Sequence, residues 1–142
     1  MFNLFKNKEK SVPKVDEFFC KVACLLIHAA KIDEIYSDEE KEIIKKTLIE
    51  LGAKASNISK LISDATIIEN NSNQILDFTR EIKNMSKTDK NKIIESLWKI
   101  IYSNENADIY ETNLMRRLAG LLYVDASTMG NLKEKIKKKL IK

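Results

Sequence analysis

The chain has 142 residues, 44% apolar and 32% charged, which suits one soluble domain with a proper core and argues against a disordered polymer. One proline and three glycines argue strongly against a loop-rich β architecture, and no Ser-His-Asp pattern is evident around the single histidine. The formal charge of +4 is unevenly spread: residues 1–14 carry +3 and residues 131–142 carry +5, leaving about −4 on the body between.

The pattern predicts an all-α bundle of seven helices over residues 15–142, preceded by a basic segment at 1–14. That segment contains Phe2, Leu4 and Phe5, but its apolar stretch is too short for the core of a signal peptide. The first helix is predicted from Val15 to Ile32 after Pro13, with Phe18, Val22, Leu25, Leu26 and Ala29 facing inward. Its apolar run from Val22 to Ala30 is far short of a bilayer span. Cys20, Cys24 and His28 form a stripe on this helix. A structural zinc site needs four ligands and no other Cys or His exists, so free buried thiols are expected.

The second helix starts at a Ser37 cap, presents Ile43, Ile44, Leu48 and Leu51, and stops at Gly52. The third runs from a Ser56 cap through Leu61, Ile62, Ala65 and Ile68 to the asparagine-rich turn at 70–73. The fourth spans about Asn73 to Asn84 and presents Ile75, Leu76, Phe78 and Ile82. Ser86 to Asp89 resembles a capping box that opens the fifth, whose inner face is Ile93, Ile94, Leu97, Trp98 and Ile101. The sixth begins at Asp108 and uses Leu114, Leu118, Leu121 and Leu122. The seventh covers Ala126 to Ile141, with Leu132, Ile136 and Leu140 between lysines. Short connections imply a compact bundle.

A helix, acidic turn and helix occurs twice, in residues 26–51 and 97–122, so that Leu26 pairs with Leu97 at an offset of 71. The turns hold the candidate functional residues. In the first, Asp33 and Glu34 end one helix while Asp38, Glu39 and Glu40 open the next. In the second, Asn104, Glu105 and Asn106 precede Asp108 and Glu111. Hard divalent cations take several oxygen ligands, which carboxylates and amides supply. The spacing sets Asp33 against Glu40 and Asn104 against Glu111. Neither turn is an EF-hand, because the required glycine falls on Asp38 or Ile109 and the required glutamate on Ile44 or Met115.

Helix capping competes with that reading. Ser37 with Glu40, and Asp108 with Glu111, each fit a capping box, and carboxylates suit a helix N-terminus. Capping leaves Asp33, Glu34 and Glu105 unexplained, because they sit at helix C-termini where the dipole disfavours negative charge. The basic pairs Lys45-Lys46 and Arg116-Arg117 are expected on the outer side of each second helix.

Phe78-Thr79-Arg80-Glu81-Ile82-Lys83, Leu97-Trp98-Lys99-Ile100-Ile101-Tyr102 and the run from Tyr110 to Val124 resemble the C-terminal half of TerB-like tellurite resistance proteins. Ala29 to Asp33 and Ser37 to Glu40 resemble the N-terminal repeat of the same family. The likeness covers about residues 15–130, and Tyr110-Glu111 with Leu114-Met115-Arg116-Arg117 is its most specific part. It implies a seven-helix domain of the kind also found at the N-terminus of a DnaJ-like membrane co-chaperone. It implies a non-enzymatic role in bacterial stress response, with membrane-associated Ter partners. It further implies a divalent cation of unspecified identity, with Asp33, Glu40 and Glu111 at family ligand positions.

Where the family has Asp-Gly, this chain has Asp33-Glu34 and Asn104-Glu105, so the second turn loses a charge and both lose the glycine. The expected metal set is therefore Asp33 and Glu40, with Asn104, Asp108 and Glu111 in the weaker second site. The alternative is a scaffolding adaptor whose acidic turns are only caps. The expected location is cytoplasmic, with peripheral attachment at the inner membrane as a variant; no nucleic-acid partner is expected.

Overall fold

The computed structural model describes residues 14–31, 37–71, 75–103 and 111–141. Within them the chain is all-α, with no strand among the described residues. Helix α1 is Lys14–Ala30, α2 Asp38–Glu50, α3 Ile58–Asn70, α4 Leu76–Thr79, α5 Lys87–Tyr102, α6 Arg116–Leu121 and α7 Ala126–Ile141.

Helix α1 is the axis of the bundle. Every residue from Val22 to Ile27 is fully buried, because α1 packs against α2, α3, α4 and α5 on different sides. A helix apolar all round belongs in such a place. Helix α5 plays the same part in the second half, with Ile93, Ile94, Leu97, Trp98, Ile100 and Ile101 all buried, and α7 is its main neighbour after the order α1–α3. The offset of 71 is thus a repeat of packing as well as of sequence. Between the halves, the buried hydroxyls of Thr47 on α2 and Ser96 on α5 hydrogen-bond to each other. Each also bonds within its own helix, Thr47 donating to the Ile43 carbonyl at 2.8 Å and Ser96 to that of Lys92 at 3.0 Å.

Several predicted details change. Phe19, not Phe18, is the buried member of its pair, and the two rings meet edge-on at 5.8 Å. Ile68 and Leu76, expected inside, are both about 40% exposed. Ser56 lies inside a 3₁₀ turn, Ala55–Asn57, that leads into α3, so it does not cap that helix. The fourth predicted helix is instead a single α turn followed by a second 3₁₀ turn, Ile82–Asn84. That break still buries both Phe78 and Ile82. The Lys90 ammonium donates to the Lys83 carbonyl at 2.8 Å, satisfying a backbone acceptor at the end of this segment that has no partner within a helix.

The sixth helix differs most from expectation. Its predicted start at Asp108 lies outside the described residues, and from Glu111 to Met115 the chain forms a π-helical turn before the α geometry begins at Arg116. Single π turns inside α-helical proteins often mark functional sites. The helices α2 and α6 nevertheless end alike. Gly52 and Ala53 donate to the carbonyls of Ile49 and Leu48, and their counterparts Tyr123 and Val124 donate to those of Gly120 and Ala119. This is the same C-terminal cap with a left-handed residue in each copy, Gly52 at φ +114 and Tyr123 at φ +58.

Candidate functional site

The best-defined part of the candidate site is the start of α2. Ser37 is extended, with φ −77 and ψ 162, and its hydroxyl accepts the Glu40 amide N–H at 3.1 Å. In return the Glu40 Oε1 accepts the Ser37 amide N–H at 2.8 Å and the Ser37 hydroxyl at 3.1 Å. The capping box read from the sequence is therefore complete.

Its glutamate is unusual in being buried, at 2% exposure, whereas capping glutamates ordinarily sit at the surface. The cap employs Oε1; Oε2 of the same carboxylate is enclosed as well. Asp38 and Glu39 face outward, and Asp38 makes only a 3.7 Å contact with Lys41 one turn on. Such exposed pairs contribute little.

Asp33, Asn104 and Asp108 lie outside the described residues, as do Glu34 and Glu105, and only the backbone of Glu111 is described. That backbone opens the π turn, at the position that Glu40 holds in the first copy. Of the five expected ligands, Glu40 alone is seen in full. Among the described residues, no three Asp, Glu, His or Cys side chains converge on one point.

The Cys20–Cys24–His28 stripe turns toward α3, where Cys24 and His28 meet Ala65 and Glu69. The Cys24 thiol is within reach of the Ala65 carbonyl at 3.5 Å and of the Cys20 sulfur. Both cysteines are free. Their mutual hydrogen bond holds the half-buried Cys20 thiol below its ordinary pKa, against the opposing effect of burial. The same bond and burial push Cys24 upward. His28 Nδ1 is 3.3 Å from a carboxylate oxygen of Glu69, whose other oxygen accepts from Lys31 Nζ at 2.7 Å. Lys31 also reaches Asn70.

Sequence reasoning missed Glu69. It is only 9% exposed and ties the last turn of α1, just ahead of the first acidic turn, to the end of α3. The available signal was its place on the stripe of Ile58, Ile62 and Ala65, where a glutamate has to find a cation. Its partners lie 38 and 41 residues away, beyond any local pattern.

Trp98 is buried as expected and stacks on Tyr102 at 5.9 Å. Arg116 and Arg117 are exposed, and Lys46 is too.

The family model for tellurite resistance protein TerB matches residues 20–134, from within α1 to the middle of α7. The chain belongs to the TerB family. The resemblance seen in the Tyr110 and Arg116-Arg117 region therefore extends over both copies of the repeat. No curated protein and no solved structure matches this TerB-family chain. No helix among its described residues is long and apolar enough to cross a membrane.

Proposed function

We propose that this TerB-family chain is a non-enzymatic module of bacterial stress response that binds a divalent cation through its first acidic turn. The observation that carries the reading is the buried Glu40 carboxylate beside that turn. A carboxylate held in a buried position beside further acidic residues offers a hard cation an oxygen ligand, and a surface cap has no need of such a position. Asp33 and Glu40 are the ligands of the first site. Asn104, Asp108 and Glu111 make a weaker second one, because Asn104 brings no charge where Asp33 does. The module works in the cytoplasm, its lysine-rich α7 suiting it to membrane-associated Ter-type partners.

Calorimetric titration with calcium, magnesium, manganese and zinc tests this reading. Saturable heat is expected for at least one ion, and Asp33→Asn with Glu40→Gln abolishes it. Glutamine still closes a capping box, so the double variant stays folded and a lost signal reports lost ligands.

A second reading, a scaffolding or co-chaperone-like adaptor whose acidic turns are only caps, is favoured by the complete Ser37–Glu40 box. Absence of heat with all four ions, with the protein folded by circular dichroism, would leave the adaptor reading standing alone.

A further inference from the structure

A cleft of about 400 Å³ opens where the start of α5 meets the corner between α6 and α7. Lys87, Lys90 and Asn91 line one wall, and Tyr123, Asp125 and Thr128 the other. The duplication supplies a reference for it. At the offset of 71, Lys90 is the counterpart of Phe19, and Tyr123 is the counterpart of Gly52. In the first copy the buried Phe19 ring lies 3.7 Å from where a side chain on Gly52 would begin. In the second copy an ammonium and a phenol stand at these positions, and the corner is open.

The change runs against stability. Tyr123 holds φ +58, which glycine adopts without strain, and leaves 69% of its surface exposed. Local strain of this kind collects at ligand sites. The charges are also biased. Lys90 donates to the Lys83 carbonyl at 2.8 Å, which positions its ammonium while leaving two of its three donors. The Lys83 ammonium itself lies 5.4 Å from the centre of the Tyr123 ring. Asp125, the one acid in the cleft, accepts the Thr128 amide N–H at 3.0 Å and is occupied in capping α7. Two lysines, Lys87 and Lys90, thus line the cleft against one carboxylate already in use, with Lys83 beside the Tyr123 ring.

We infer that this cleft docks a short acidic peptide of a partner protein, with a carboxylate between Lys87 and Lys90 and an apolar side chain against Tyr123. Charge complementarity selects the acidic partner. An open cleft of mixed lining, with Met85 and Val124 beside the polar residues and tyrosine at its rim, has the character of a protein interface, whereas small-molecule sites enclose most of their ligand. The cleft is at the Lys87 end of α5, and the helix runs roughly 24 Å from there to Tyr102. It stands or falls independently of cation binding.

Fluorescence anisotropy of the full chain with a fluorescein-labelled peptide of alternating glutamate and leucine tests the assignment. Saturable binding is expected, weakened about tenfold by Lys87→Gln with Lys90→Gln. Tyr123→Gly should weaken it about fivefold even though that variant melts at higher temperature, a combination that a merely structural tyrosine does not produce. Lys138→Gln with Lys139→Gln removes equal charge from exposed positions further along α7 and should leave affinity within about twofold. The assignment is overturned by an equal loss in that control, by unchanged binding in the cleft variants, or by no saturable binding. Displacement by inorganic phosphate at lower concentration than by unlabelled peptide also overturns it, and makes the cleft a simple anion site.

Discussion

The two copies of the repeat agree where helices are packed and stopped, and differ in the regularity of the second helix and in the side chains at its final corner. In the first copy α2 starts from a complete Ser37–Glu40 capping box and runs regularly to Glu50. In the second, the equivalent stretch passes through a π turn and only six residues of α6 follow. Both then end in the same hydrogen-bonded cap, one built on Gly52 and the other on Tyr123. The contrast separates what a fold must keep from what a duplicated unit is free to change. Leu26 and Leu97, buried counterparts on the two axial helices, belong to the first class. Phe19 and Lys90, counterparts of which one is a buried ring and the other lines a cleft, belong to the second.

The largest effect should come from breaking the shared core. Leu26→Ala and Leu97→Ala each empty a fully buried site and should cost about 2–5 kcal/mol. Leu26→Ala is expected to cost the more, since α1 is enclosed by four helices. Urea denaturation of the two variants reads this order directly, and a much larger loss at Leu97 would place the axis of the fold in the second half instead.

A smaller pair of changes, opposite in sign, sharpens the comparison of the two caps. Gly52→Ala places a side chain at positive φ and should lower stability by about 1 kcal/mol. The new methyl would meet Phe19 only at ordinary contact distance, so the cost is one of backbone conformation. Tyr123→Gly should do the reverse and raise stability by about 0.5–1 kcal/mol, since the strained φ is relieved and the ring is mostly exposed. Thermal melts of both variants check the signs. A stability loss in Tyr123→Gly would mean that the ring holds the corner together.

The smallest effect is chemical and contrasts two neighbours within one copy. Cys20 is half-buried with a lowered pKa, while Cys24 is buried with a raised one. Iodoacetamide attacks the thiolate, so Cys20 should be labelled well before Cys24 in the folded protein. The difference should be widest below the ordinary thiol pKa of about 8.5, where Cys20 is ionised to a greater extent than a free thiol and Cys24 remains protonated. Mass spectrometry of time points at pH 7 and pH 9 checks it. Equal labelling at both would show that the hydrogen bond between the thiols does not bias them.

Much of the fold was legible because its causes are local. The apolar spacing of α1, α5 and α7, the Ser37–Glu40 box and the Gly52 stop each depend on residues within a few positions of one another. Of the candidate site, the local part was readable too: Glu40 caps α2 as its spacing implies. Asp33, Asn104 and Asp108 fall outside the described residues, and the Glu111 side chain does so with them.

What periodicity missed has a common origin. A helical pattern does not say whether Phe18 or Phe19 turns inward, nor that Ile68 and Leu76 stay exposed; the neighbouring helices decide that. Nothing near Glu69 in the chain announces His28 and Lys31.

The sequence by itself determined the all-α class, the seven helices, the duplication and the family, because periodic burial and capping are encoded over one or two turns. Only the tertiary structure decided that Glu40 is buried, that Glu69 anchors the end of α1, and that Phe19 is buried beside Gly52 while Lys90 and Tyr123 line a cleft. Those features arise where segments far apart in the chain meet, and their energies depend on partners that no local pattern contains.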